Sequence, residues 1–88
     1  MAINTSLLIN NYNAFLNGAT DPDTKAKIKG MDEEIQGLLN QLKADPSDMV
    51  AMLQLQAKMG TLSSMTSMTS NMVKSMTDIS KELARAIG

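Results

Sequence analysis

Four methionines, Met65, Met68, Met72 and Met76, stand at i, i+3, i+7 and i+11. On one helix their thioethers would share a face, the arrangement a soft ion such as Cu(I) takes. The chain has nine Met but no Cys and no His, so neither thiolate nor imidazole backs up such a site. A Met stripe at helical spacing serves packing equally well, and packing is the reading adopted. Ser80 and Lys81, within Thr77-Asp78-Ile79-Ser80-Lys81, have the types of a serine–lysine dyad, but the run reads as a solvated helix face. The nine carboxylates and eight basic side chains are spread along the sequence. No nucleophile has an evident base, and no Gly-rich phosphate loop follows a strand. The chain is therefore read as no enzyme, with no cofactor and no metal.

What remains is the helices that carry these residues. Eighty-eight residues make one small domain. A domain of that size buries only about two-thirds of its unfolded surface, so its stability is modest. One Phe, one Tyr and no Trp leave Met to fill much of the core. The net charge of −1 gives no reason to expect nucleic acid or an anionic membrane as partner. No stretch approaches the roughly 20 apolar residues of a membrane span. The start lacks the basic and apolar regions of a cleaved secretory signal. The expectation is a soluble chain, or one exported without such a signal.

Residues 1–20 allow a short amphipathic helix after Thr5 or Ser6, through Leu7, Leu8, Ile9, Tyr12, Phe15 and Leu16, or a flexible Asn-rich arm. Gly18 to Asp23 is a breaker. In 21–44, Ile28, Met31, Ile35, Leu38, Leu39 and Leu42 recur at helical spacing. Asp21-Pro22 fits a helix start. However, Lys25, Lys27 and Lys29 precede Asp32, Glu33 and Glu34, which fits a start nearer Gly30 better. Gly30 and Gly37 share a face on which another backbone can approach closely. Asp45, Pro46, Ser47 and Asp48 form the strongest local signal, a hairpin turn. Asp45 has the type of an N-cap and Pro46 that of a first helical residue.

From the turn to the end, no Pro interrupts the chain, and a single long helix is expected over 49–88. Three rows spaced by seven lie side by side: Met52, Met59, Thr66 and Val73; Leu55, Leu62, Thr69, Met76 and Leu83; Met65, Met72, Ile79 and Ala86. Together they cover an arc of roughly 100°. Ser63, Ser67, Ser70, Asn71, Lys74, Asp78, Lys81 and Arg85 lie mainly opposite. The middle of this segment, 59–73, has no charge across its fifteen positions. Nine of the thirteen residues from Gly60 to Met72 are Gly, Ser, Thr or Asn. Each is worse than Ala by roughly 0.5 kcal/mol or more, so the tract lacks about 4 to 5 kcal/mol of intrinsic helicity. Either neighbours supply it, or the tract is a Ser/Thr linker between two helices. A continuous helix over 46–87 would run about 63 Å, twice the roughly 30 Å of a compact globule of this length. The preceding helix can cover part of it as an antiparallel hairpin. The rest of the apolar arc needs other copies of the chain, unless the helix breaks at Gly60.

Two motifs at matching spacing then carry a resemblance over about 45–88. The turn Asp45-Pro46-Ser47-Asp48 and the run Val73-Lys74-Ser75-Met76-Thr77-Asp78-Ile79-Ser80 are similar to the Pro-Ser-Asp turn and the Val-Lys-x-x-Lys-Asp-Ile/Val-Asp motif of needle subunits from bacterial type III secretion systems. Thr77 and Ser80 replace that family's second Lys and final acid. Met65-Thr66-Ser67-Met68-Thr69-Ser70 replaces a Tyr-Arg-Asn-Ala-Gln-Ser stretch. Near the start, where the family often has Trp or another aromatic, this chain has Tyr12 and Phe15.

The resemblance implies an all-α hairpin subunit that polymerises with itself into a hollow extracellular filament, through which unfolded effector proteins pass. It implies chaperones before export, basal-body inner-rod and needle-tip proteins as partners, and secretion by the machine itself. Carried over by position, it places Ser63, Ser67, Ser70, Asn71, Lys74 and Asp78 on the lumen. Leu62, Met65, Met72, Val73, Met76, Ile79, Leu83 and Ile87 would pack between subunits. Alternative readings are the inner-rod subunit of the same machine, a soluble helical adaptor or secreted effector that binds a partner helix, and, more remotely, a membrane-active amphipathic peptide.

Overall fold

The computed structural model describes residues 3–18 and 21–87. Among these the chain forms four helices: α1 (Thr5–Gly18), α2 (Pro22–Ala44), α3 (Met49–Met65) and α4 (Ser70–Ile87). Short connections make successive helices antiparallel. The helices close into a ring in which α1 touches α2 and α4, and α3 touches α2 and α4. The body measures 40 × 22 × 20 Å.

Each helix begins where its local chemistry says it should. The N-terminal segment is a helix rather than an arm, and it opens with Asn4 Oδ1 accepting from Leu7 N at 3.1 Å. Asp21 caps α2, with Pro22 in the first turn. The charge order favours a start nearer Gly30, but the cap and proline outweigh an exposed dipole term of well under about 1 kcal/mol. Asp48, not Asp45, is the N-cap of α3, its Oδ1 accepting from Ala51 N at 3.1 Å. Asp45 instead ends α2, its N–H bonded to the Gln41 carbonyl, while its Oδ1 accepts from Ser47 N. Pro46 therefore lies in the turn, outside the helix.

The core takes the apolar face of every helix. Leu8, Tyr12 and Phe15 come from α1, Ile28, Ile35, Leu38, Leu39 and Leu42 from α2, Ala51, Met52, Leu55, Met59 and Leu62 from α3, and Met72, Ile79 and Leu83 from α4. Their spacings of three, four and seven are those of single helical stripes. Met31, Met49, Met65, Met68 and Met76 fill the margin, half-buried against this cluster.

The structure corrects one expectation directly. The single helix over 49–88 is interrupted at Thr66–Thr69, six residues beyond the suspected Gly60. Thr66 is extended (φ −155°, ψ 160°), though its N–H still bonds to the Leu62 carbonyl. Thr69 then restarts the chain. Its Oγ1 accepts from Met72 N at 3.2 Å and its carbonyl from Val73 N at 3.0 Å. Ser and Thr favour such side-chain caps over helix interior. Folding α4 back buries its stripe, Met72, Ile79 and Leu83, on the same chain. Gly60 sits inside α3 without a break, and among the described residues no backbone approaches Gly30 or Gly37 closely.

Candidate self-assembly surface

The residues expected between subunits fall into two groups. Leu62, Met72, Ile79 and Leu83 are buried, and Met65 and Met76 are half-buried against the same core. The stripe does come together, but its partners here are helices of its own chain. Val73 behaves differently, being 50 % exposed on the outside of α4. The side chain of Ile87 lies outside the described residues. The four methionines weighed as thioether ligands do not share one helix. Met65 ends α3, Met68 lies in the connection, and Met72 and Met76 belong to α4.

The polar set is on the surface. Ser63, Ser67, Ser70, Asn71 and Lys74 are exposed, and Asp78 is half-buried. The face carries few charges, as the sequence pattern indicates. Asp45, Pro46, Ser47 and Asp48 form the tip joining α2 to α3, and these two helices make the hairpin.

Polar links across the bundle go beyond what the sequence pattern shows. Tyr12, fully buried, donates its hydroxyl to Asp32 Oδ1 at 2.7 Å, joining α1 to α2. Burial, and then the bond to and charge of Asp32, push the Tyr12 phenol far above its usual range. Asn11 Nδ2 donates to Ser75 Oγ at 2.8 Å, joining α1 to α4. Gln56 Nε2 donates to Ser80 Oγ at 2.5 Å, joining α3 to α4. Ser75 is the one buried polar residue among those described. A tyrosine within the stripe Leu8, Tyr12, Phe15 signals that a partner for the hydroxyl is needed. No spacing in the sequence points to Asp32 as that partner.

The described surface offers packing and shape, with few charges on its polar face. No group of three or more His, Cys, Asp or Glu able to hold a metal occurs among the described residues. None of the described helices is long and apolar enough to cross a membrane. Residues 13–86 match the family model described as "Type III secretion needle MxiH, YscF, SsaG, EprI, PscF, EscF". The chain belongs to the type III secretion needle family. Comparison with curated proteins and with solved structures returned no match. Membership makes the chain a structural subunit of the secretion needle, which assembles with itself into an extracellular filament. Because the match covers both helices of the α2–α3 hairpin, α4 up to its penultimate residue and the end of α1 from Asn13, it extends well beyond the two motifs at 45–48 and 73–80.

Proposed function

We propose that this needle subunit builds a hollow conduit for unfolded effector proteins, with Leu62, Met65, Met72, Val73, Met76, Ile79, Leu83 and Ile87 packing between subunits. Ser63, Ser67, Ser70, Asn71, Lys74 and Asp78 then line the lumen. The observation that carries this reading is the division of the segment after the turn. One arc is apolar except at Thr66 and Thr69, and the lumen set opposite is small, polar and nearly neutral, its charges being Lys74 and Asp78. A wall of Ser, Thr and Asn offers passing chains few apolar or ionic holds, which suits transport of varied sequences. Secretion chaperones that shield the apolar stripe before export complete the proposal, as do basal-body inner-rod and needle-tip proteins that contact the filament ends.

The test is negative-stain microscopy of the purified chain after concentration. Thin hollow filaments of uniform width are expected. A monodisperse monomer or dimer at high concentration, with full helicity by circular dichroism, would refute the proposal.

A further inference from the structure

The helix junctions differ in what keeps them from being helical. Pro22 opens α2 and Pro46 sits within the second turn. Proline lacks an N–H, its ring clashes with the carbonyl four residues back, and it drives the preceding residue out of the α region. Asp21 and Asp45 are therefore poorly placed to join a continuous helix. The junction between α3 and α4 reads Thr66-Ser67-Met68-Thr69, with no Pro and no Gly, and no described residue has a positive φ. It rests on local caps from Thr66 and Thr69. A cleft of about 280 Å³ lies beneath it, between Phe15, Asp21 and Thr24 on one side and Thr66, Ser67 and Thr69 on the other. Of the four side chains in the connection, Met68 is the one that packs at the margin of the core.

The apolar register also runs through the break without a slip. Met65 to Met72, and Leu62 through Thr69 to Met76 and Leu83, keep the seven-residue step. If these four residues turned helical, α3 and α4 would become one rod from Met49 to Ile87, about 58 Å long at 1.5 Å per residue. The closed body is only 40 Å long. Met72, Ile79 and Leu83, now 0 %, 1 % and 3 % exposed, would leave their seat on α1 and α3.

We propose that Thr66–Thr69 is a hinge, that α4 swings out as a continuation of α3, and that the vacated seat is filled by α4 of a second copy. The occupant is a second copy because the seat already fits this helix. Asn11 faces Ser75, Gln56 faces Ser80, and the core accepts Met72, Ile79 and Leu83. The same hydrogen bonds and apolar packing that α4 makes within one chain then form between two chains. Where each vacated seat takes α4 of the next copy, the exchange runs head to tail and extends into a filament; reciprocal exchange would close a dimer, and covalent multimers beyond the dimer distinguish the two. The closed chain is then a storage form that seals its own assembly stripe. This inference rests on the filament reading above.

The native chain has no cysteine, so an introduced pair is the sole thiol pair present. Asn11→Cys with Ser75→Cys, oxidised in dilute monomer, ties α1 to α4. Gln56→Cys with Ser80→Cys, joined by a short reducible thiosulfonate bridge, ties α3 to α4 and serves if the first pair disturbs folding. The locked chains should keep their helical circular dichroism and stay monomeric where the unmodified chain forms filaments. Reductant should restore assembly. Reduced variants assembled first and oxidised afterwards should give a ladder of covalent multimers on a non-reducing gel. Locked monomers that assemble at the unmodified rate would overturn the hinge, and bridges found only within chains in the filament would overturn the exchange. Failure of the unmodified chain to form filaments would refute the filament reading first and the hinge with it.

Discussion

Val73→Asp separates assembly from folding more cleanly than any other substitution in the stripe. Met72 and Ile79 are buried within the chain, so an aspartate at either site unfolds the monomer before its effect on assembly can be read. Val73 is half exposed on α4, in the fourth position of the helix. In the monomer an aspartate there keeps its hydration. It matches valine closely in helix propensity and lies near the positive end of the helix dipole. Its effect on folding should stay within about 0.5 kcal/mol, the usual range for surface changes. In a filament that packs Val73 between subunits, the same carboxylate is desolvated without a partner. Such burial costs several kcal/mol; taking about 3 kcal/mol per added subunit, the critical concentration rises roughly a hundredfold. Sedimentation of pelletable polymer against total protein measures that concentration, with a denaturant titration of the monomer as control. A Val73→Asp chain that folds normally and assembles at the unmodified critical concentration would remove Val73 from the interface.

Leu62→Ala removes a fully buried side chain from the α3 face of the core and should cost about 2 to 5 kcal/mol in denaturant unfolding. Tyr12→Phe removes the hydroxyl donated to Asp32 and should cost about 1 to 2 kcal/mol by the same measurement, since the bond has a charged acceptor. The Tyr12 phenol is held neutral in the folded chain, so its contribution is complete below the tyrosine pKa of the unfolded chain, about 10. Above that pH the unfolded chain alone ionises, and stability should fall by up to about 1.4 kcal/mol per pH unit. This alkaline loss should be absent from Tyr12→Phe when the two melting curves are compared. Ser67→Ala, on the exposed polar face, should leave filament assembly intact by microscopy; its loss would move Ser67 into the interface.

Much of this architecture is legible in the sequence because single residues decide it. Asp21-Pro22 and Asp45-Pro46 fix two junctions by steric exclusion, and Ile28, Ile35, Leu39 and Leu42 permit only one buried face for α2. The break at Thr66–Thr69 is less legible. Threonine and serine at these positions serve as helix surface or as caps with little difference in energy, and the Met and Leu rows cross the gap in step. Periodicity alone therefore reads α3 and α4 as one helix. Its length shows that such a helix cannot be enclosed by its own chain, but the glycine at position 60, the obvious place for a break, needs no special φ and stays helical. The expected interface residues share one helical face, and that face is real. Whether they meet their own chain or another depends on the hinge, which periodicity does not report.

The four helices do not contribute equally to holding the body together. The hairpin of α2 and α3 places five residues from each helix in the core, almost all large aliphatics. α1 contributes three, Leu8, Tyr12 and Phe15, and touches α4 across the polar pair Asn11 and Ser75. A tension applied at the amino end is therefore delivered first to a helix with fewer core anchors than either helix of the hairpin. Its three anchors lie in sequence along the helix axis, so they release one after another. The load is never shared among them at once, and α1 peels away like a strip of tape while the α2–α3 hairpin stays closed.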